Sequence, residues 1–355
     1  MPVIESLPLE TQTLYSELVD QLRVADFVRS FASLSGGFTK RKKGGGHYWY
    51  FRTSEGPGRS PQEFYVGPDN EATWALMDGY QAGREAAKEA EARIVRLSAM
   101  LRSGGIALTD APSARIIKGL GAAGVFRLGG VLIGTHAFLA LGNALGVKWP
   151  SSLHTRDVDF GAPRRIGLGI PQTPQLVADL PAAIESLEMG FIPYVRVHAD
   201  TRPTSFVVHG QDWRIDLLTS PHGADRDVPV KIPRLGSFAQ PLEFMDYLLE
   251  KTLDAAVVNG GASLARIPEP ARFALHKLLV ASQRDLRSAA KADKDRMQAF
   301  LMLGFLQRQR AGDILLAAED LCGRGPGWSK RLRQQAALLP EPLPELQDVL
   351  DRIKV

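Results

Sequence analysis

A single cysteine, Cys322, is present in 355 residues, which excludes an internal disulfide and any thiolate metal cluster. That scarcity agrees with a reducing compartment, and a cytoplasmic location is the expectation. Seven histidines occur, His47, His136, His154, His198, His209, His222 and His276, and none shares a zinc-site spacing with another. The opening residues MPVIESLPLETQ hold neither the basic region nor the apolar core of a secretory signal. A long unbroken apolar run is also missing. The tract 119–147 is apolar but interrupted by Arg127, His136, Asn143 and glycines, so a strand, turn and helix are expected there rather than a membrane span.

Composition is otherwise ordinary for a globular chain, with 45% apolar and 23% charged residues, and the length allows two or three domains. The net charge is only +4, yet it is unevenly spread. Lys40, Arg41, Lys42, Lys43, Arg52 and Arg59 face a single acid, Glu55, between residues 40 and 60. In the same stretch His47-Tyr48-Trp49-Tyr50-Phe51 follows a glycine turn, which predicts a β-hairpin with a third strand near 62–66. Lys40, Arg41, Lys42 and Lys43 interleaved with Tyr48, Trp49 and Tyr50 would suit a single-stranded nucleic acid, charge for phosphates and rings for bases. A solvated meander whose rings pack on neighbouring helices satisfies the same pattern. Helices are expected over 8–33, 69–103 and about 110–125.

The chemistry concentrates between Gly129 and Phe160. Val131-Leu132-Ile133 reads as a buried strand, Gly134-Thr135 breaks it, and His136 to Leu145 has helical spacing. Asp157-Val158-Asp159-Phe160 then alternates, so both carboxylates share one strand face, roughly 6–7 Å apart, where they can share divalent metal ions. Asp216 lies in a later apolar run, Trp213 to Leu218, which predicts a strand paired antiparallel with Phe206-Val207-Val208-His209. His136 is readable as an acid–base group or as a structural hydrogen-bonder at a helix start. Arg156, Arg164 and Arg165 flank the paired acids, either to neutralise phosphate or to solvate a loop.

This ordered set (a Gly-Thr turn after a strand, Asp-x-Asp on a strand, a third Asp on a later strand) resembles the nucleotidyltransferase superfamily that includes DNA polymerase beta. Thr135 stands where that family usually has Ser, and the interval from Gly134 to Asp157 is longer than usual, which implies an inserted loop around Pro150. The resemblance implies that Gly134 and Thr135 hold nucleotide phosphates and that Asp157, Asp159 and Asp216 are the catalytic metal ligands. It also implies two Mg2+ ions, with Mn2+ as a substitute.

Downstream, RIPEPARFALHKLLVASQRDLRSAAKADKDRMQA resembles the segment after the catalytic sheet in bacterial toxin-type nucleotidyltransferases. That makes Lys277 a nucleotide-binding candidate supported by Lys294 and Asp295, although a lysine snorkelling from a buried helix fits too. The implied fold is α+β, a nucleotidyltransferase-like mixed sheet with flanking helices. An N-terminal helix and hairpin region would occupy 1–125, a catalytic domain 126–285 and a C-terminal helical bundle 286–355. The implied activity is transfer of a nucleoside monophosphate from a nucleoside triphosphate to RNA (tRNA included), protein or a small molecule. A degenerate nucleotide- or RNA-binding protein and a metal-dependent phosphohydrolase are the alternatives. Acceptor, base preference, toxin role and oligomeric state stay open.

Overall fold

The computed structural model describes residues 4–32, 36–43, 45–53, 63–150, 155–163, 178–195, 202–221, 227–284 and 288–352. The chain begins with β1 (Glu5–Ser6), α1 (Leu9–Ala32), the strands β2 (Gly36–Lys43), β3 (Gly46–Thr53) and β4 (Glu63–Pro68), then α2 (Glu71–Ser103) and α3 (Ala111–Ala122). It continues through β5 (Val131–Ile133), α4 (Gly134–Ala144), β6 (Val147–Lys148), β7 (Asp157–Gly161), α5 (Leu180–Glu185), β8 (Phe191–Tyr194), β9 (Ser205–Val208) and β10 (Arg214–Thr219). β11 (Val230–Ile232), β12 (Ser237–Pro241), α6 (Met245–Glu250), the hairpin β13 (Thr252–Val258) and β14 (Ala262–Pro268), and α7 (Pro270–Ala281) follow. The last four helices are α8 (Ala289–Gln309), α9 (Ala311–Gly323), α10 (Pro326–Ala336) and α11 (Pro344–Arg352). Among the described residues no helix is long and apolar enough to cross a membrane.

The architecture is α+β around a mixed sheet with the path β11-β12-β10-β7-β5, and β8 and β9 attached through β9 to β10. β7 and β10 run parallel, with Asp157 opposite Arg214 and Asp159 opposite Asp216. β5 and β7 run antiparallel, Ile133 opposite Asp159. The other side of β10 is shared: its first half pairs antiparallel with β9 and its end parallel with β12. The expected β9–β10 pairing is therefore present, whereas β11 and β12 add a sheet edge that the sequence pattern did not mark. Alternation fixes which face is which. Val158, Phe160, Ile215 and Leu217 are buried on one face, each contributing about 1.5–3 kcal/mol by leaving water. The acids of the same strands are thereby driven to the other face.

Helices begin where side chains satisfy their free N–H groups. Asn70 accepts from Thr73 N at 3.0 Å before α2, Asp110 from Ser113 N at 2.9 Å before α3, and Glu269 from Ala271 N and Arg272 N at 3.1 and 2.9 Å before α7. α7 is buried on nearly all sides and runs through the main core, which extends from α3 through the central sheet to α11. A smaller core joins Leu18 and Leu22 of α1 and Leu97 and Leu101 of α2 to Ala256 and Val258 of β13. Tyr15 secures that junction: its hydroxyl donates to Ala256 O and accepts from Ala256 N.

β6 takes up part of the long interval between Gly134 and Asp157 by pairing antiparallel with β1. The order β2-β3-β4 forms a separate three-stranded antiparallel sheet leading into α2.

Candidate active site

Asp157, Asp159 and Asp216 meet on the polar face of the central sheet. Burial and repulsion are visible in the proton affinities of Asp157 and Asp159. Asp159 is pushed up to about 7, first by burial and then by Asp216 and Asp157. Asp157 is also raised, by burial and then by Asp216. Cations offset only part of this: Lys277 and Arg214 act on Asp159, and Lys291, Arg214 and Lys294 on Asp157.

Asp216 is the acid with local partners. Arg214 Nε donates to both of its carboxylate oxygens at 2.8 Å, and the Ser205 hydroxyl donates to Oδ1. Arg214 Nη2 closes the triangle by donating to Ser205 Oγ at 2.9 Å, and its guanidinium lies 5.4 Å from the Tyr194 ring. Arg214, two residues from Asp216 on one strand, is signalled by strand alternation alone. Ser205 is not, because only the β9 register brings it opposite Asp216. The donor set has the chemistry of a site for a hard divalent cation, three carboxylates on one face with Asp159 poised to trade a proton for a metal. Among the described residues, however, no group of three or more His, Cys, Asp or Glu side chains is gathered tightly enough to hold one ion. In this arrangement the oxygens of Asp216 serve Arg214 and Ser205.

Gly134 has a φ of +69° and a close neighbour: a Cβ added there would lie 2.4 Å from Asp159 Oδ2. Both facts favour glycine, since the left-handed backbone disfavours a side chain and the approach of the carboxylate leaves no room for one. Thr135 follows, buried, in the first turn of α4. The expected Gly-Thr turn thus sits directly against the paired-acid strand. His136 is 2% exposed and burial pulls its pKa down to about 4, so it is neutral at physiological pH, and neither ring nitrogen has a hydrogen-bond partner among the described residues. His276 on α7 is likewise buried and lowered to about 3.

The helices after the sheet deliver cations to the same place. Lys277 Nζ donates to Asp295 Oδ1 at 2.7 Å and lies 5.5 Å from the Phe273 ring. Arg284 holds the other oxygen of Asp295 at 3.1 Å. Lys294 is lowered by burial and by Lys277, and raised by Asp295, Asp157 and Asp159. The structure therefore brings Lys277, Lys294 and Asp295 together beside the acids and adds Lys291. Arg156 pairs instead with Asp212 at 3.1 Å on an open surface, a contact weak enough to exchange for a phosphate. Arg164 and Arg165 lie outside the described residues.

The seven basic and aromatic residues of the first hairpin divide between two faces. Lys40 sits opposite Trp49, and Arg41 opposite Tyr48. Lys40 pairs with Asp69, which also accepts from Trp49 Nε1 at 2.8 Å and Trp74 Nε1 at 2.9 Å. Those three donors pull Asp69 down to about 2, Lys40 first. Lys42 is exposed opposite His47, and Lys43 closes the hairpin opposite Gly46.

Comparison with known proteins adds a family to this geometry. The family model described as Nucleotidyltransferase matches residues 111–321, more than half of the chain and all three acids. A crystal structure of an antigenic nucleotidyltransferase-like protein from Paracoccidioides brasiliensis is similar to 64% of this chain and 95% of its own, at 14% identity and a TM-score of 0.31. No curated protein matches.

Proposed function

The chain belongs to the nucleotidyltransferase family, and from that premise we propose that it moves a nucleoside monophosphate from a nucleoside triphosphate to an acceptor at the Asp157–Asp159–Asp216 face. The observation that carries this reading is the convergence of three carboxylates from adjacent strands, with Asp159 held near 7 by burial and its two neighbours. Such frustrated charge is a mark of functional sites.

Asp157 and Asp159, joined by Asp216, are the residues that would hold magnesium or manganese. Two such ions, when bound, supply charge to the triphosphate oxygens and acidify the attacking hydroxyl. The rest falls to the chain itself. The first turn of α4, Gly134 and Thr135, offers N–H groups and the positive end of a helix to phosphate. Lys277, Lys291 and Lys294 add positive charge beside the acids, and Arg156 stands at the mouth of the same strand. Asp159 must lose its proton before it can act as a ligand, which favours activity above pH 7. Asp216 must release Arg214, whose guanidinium is then free to meet an anionic phosphate oxygen.

That last requirement also motivates a second reading. With Asp216 kept by Arg214 and Ser205, the chain would bind a nucleotide without transferring it. Incubation with each α-labelled nucleoside triphosphate, magnesium and total RNA or cell lysate separates the two. Transfer of label by the wild type, and its loss in Asp157→Ala by about a thousandfold or more, is the expected result. Magnesium-dependent triphosphate binding with no transfer and no release of monophosphate would establish the second reading instead. Release of unattached monophosphate or phosphate would mark a phosphohydrolase.

A further inference from the structure

We propose that the outward face of the β2–β3–β4 sheet is a docking surface for single-stranded RNA, with Tyr48, Tyr50 and Tyr65 as stacking rings and Arg41 and Arg52 as phosphate contacts. Alternation gives this sheet two unlike faces. Most of the inner face is engaged by the protein: Phe38 and Phe51 pack edge-on at 5.2 Å and each lies 5.3 Å from Tyr80 of α2, while Lys40 and Trp49 are tied to Asp69. Among the described residues the outer face has no such cover. Tyr65 is 58% exposed, and its ring centroid lies 5.6 Å from Tyr50 and 6.2 Å from Tyr48.

One exposed phenol ring and two half-buried ones are grouped here on the solvent side of the sheet, an aromatic patch of the kind that marks a binding surface. Charge at their rim selects the occupant. Arg41 lies 5.7 Å from the Tyr50 ring and pairs with Glu63 at 2.7 Å on an exposed edge. Arg52 is exposed next to the rings with no ion-pair partner among the described residues. An apolar protein surface would leave Arg52 without counter-charge and would offer Arg41 nothing beyond its exposed pair with Glu63. A single nucleic-acid strand supplies bases for the rings and phosphates for the arginines at the same time. The hydroxyls of Tyr48, Tyr50 and Tyr65 have no hydrogen-bond partner among the described residues, and a ribose 2′-OH can both donate to them and accept from them. Deoxyribose cannot, which favours RNA over DNA. The sequence pattern pointed to Lys40 and Trp49 for this role; in the fold they hold the sheet on α2, and Tyr65 and Arg52 take their place.

Binding by this face stands on its own observations, whereas the further step, that the bound RNA is the acceptor, rests on the transferase reading above. The test is fluorescence anisotropy of a labelled single-stranded RNA of mixed sequence with the full chain, without nucleotide or magnesium. DNA of the same sequence and an RNA duplex are the comparators. The expected result is tighter binding of single-stranded RNA than of either comparator, weakened about tenfold for each ring removed in Tyr50→Ala and Tyr65→Ala. Arg52→Gln should lower the salt dependence by about one released ion. The triple substitution Tyr48→Phe, Tyr50→Phe, Tyr65→Phe keeps the rings, so it should fold and bind while losing the preference for RNA over DNA. Unchanged affinity in correctly folded Tyr50→Ala and Tyr65→Ala, or equal affinity for the duplex, overturns the proposal. Because no transfer is read, failure here leaves the nucleotidyl-transfer test intact, and failure there leaves this one intact.

Discussion

Two sheets of this protein carry charge on a face, and they treat it in opposite ways. On the central sheet Asp157, Asp159 and Asp216 crowd together, and Asp159 is pushed up to about 7. Beside the N-terminal sheet Asp69, just after β4, is surrounded by donors from Lys40, Trp49 and Trp74 and is pulled down to about 2. An acid with a raised pKa costs the folded state free energy once ionised, and one with a lowered pKa contributes it. The comparison teaches how to tell structural charge from functional charge. A satisfied cluster binds one element to another, whereas an unsatisfied cluster is a candidate for binding something else.

The largest expected effect breaks or secures that comparison at Asp159. Its folded pKa of about 7 lies above the ordinary value of 3.8. Between those pH values the folded state holds more protons than the unfolded one, so stability falls as pH rises from about 4 to 7. Asp159→Asn removes the burdened charge. Transfer activity should drop by about a thousandfold or more, while the chelator-treated protein gains about 1–2 kcal/mol at pH 7.5. Thermal melts from pH 4 to 8 in EDTA check this. The gain should shrink toward pH 4, where the wild-type carboxyl is protonated in both states. A variant destabilised equally at every pH would show Asp159 to be structural.

Much of this arrangement is legible in the sequence, for a plain reason. Strand alternation is strictly local, so Asp157-Val158-Asp159-Phe160 announces which side chains face the core and which face the site. Caps are local too, and Asp110 before Pro112 and Glu269 before Pro270 mark the starts of α3 and α7. Partnership across strands is not local. That Ser205 would reach Asp216, and that Lys40 and Trp49 would both turn to Asp69, depends on register and on where α2 lies. β11 and β12 carry no comparable local signal, because Val230–Ile232 and Ser237–Pro241 are short and bounded or interrupted by prolines and polar residues. Their pairing with each other, and that of β12 with β10, is a tertiary effect that overrides weak local preference.

A middle-sized effect sharpens the comparison at two glycines. Gly134 has φ +69° with Asp159 Oδ2 against it, whereas Gly37 on β2 has no positive φ and only open space where a Cβ would stand. Gly134→Ala should cost about 1–2 kcal/mol from the left-handed backbone alone, measured by denaturant unfolding. It should also displace Asp159 and suppress transfer. Gly37→Ala should change stability by less than about 0.5 kcal/mol and leave transfer untouched. Equal effects at the two positions would mean that close approach to Asp159 is not what requires glycine in the Gly-Thr turn.

The smallest effect belongs to Asp69, and its sign is the opposite of that at Asp159. Here the folded pKa of about 2 lies below the ordinary 3.8. The contribution is therefore fully present above about pH 4 and is lost as pH falls through 2. Asp69→Asn should lower the melting temperature at neutral pH, modestly, because the pair with Lys40 is partly in water and is screened there. Two indole N–H groups donate to this carboxylate at 2.8 and 2.9 Å, so tryptophan emission, taken as the difference from a Trp49→Phe, Trp74→Phe reference that keeps the other three tryptophans, gives a local readout beside the global melt. Trp49 and Trp74 join β3 to α2, and weakening both bonds at once loosens the sheet from its helix before the main core responds. The expected outcome is an emission shift at a lower temperature than the loss of helical signal, in the variant at pH 7 and in the wild type only near pH 2. A variant that instead melts at a higher temperature, as Asp159→Asn is expected to, would remove the distinction between the two sheets.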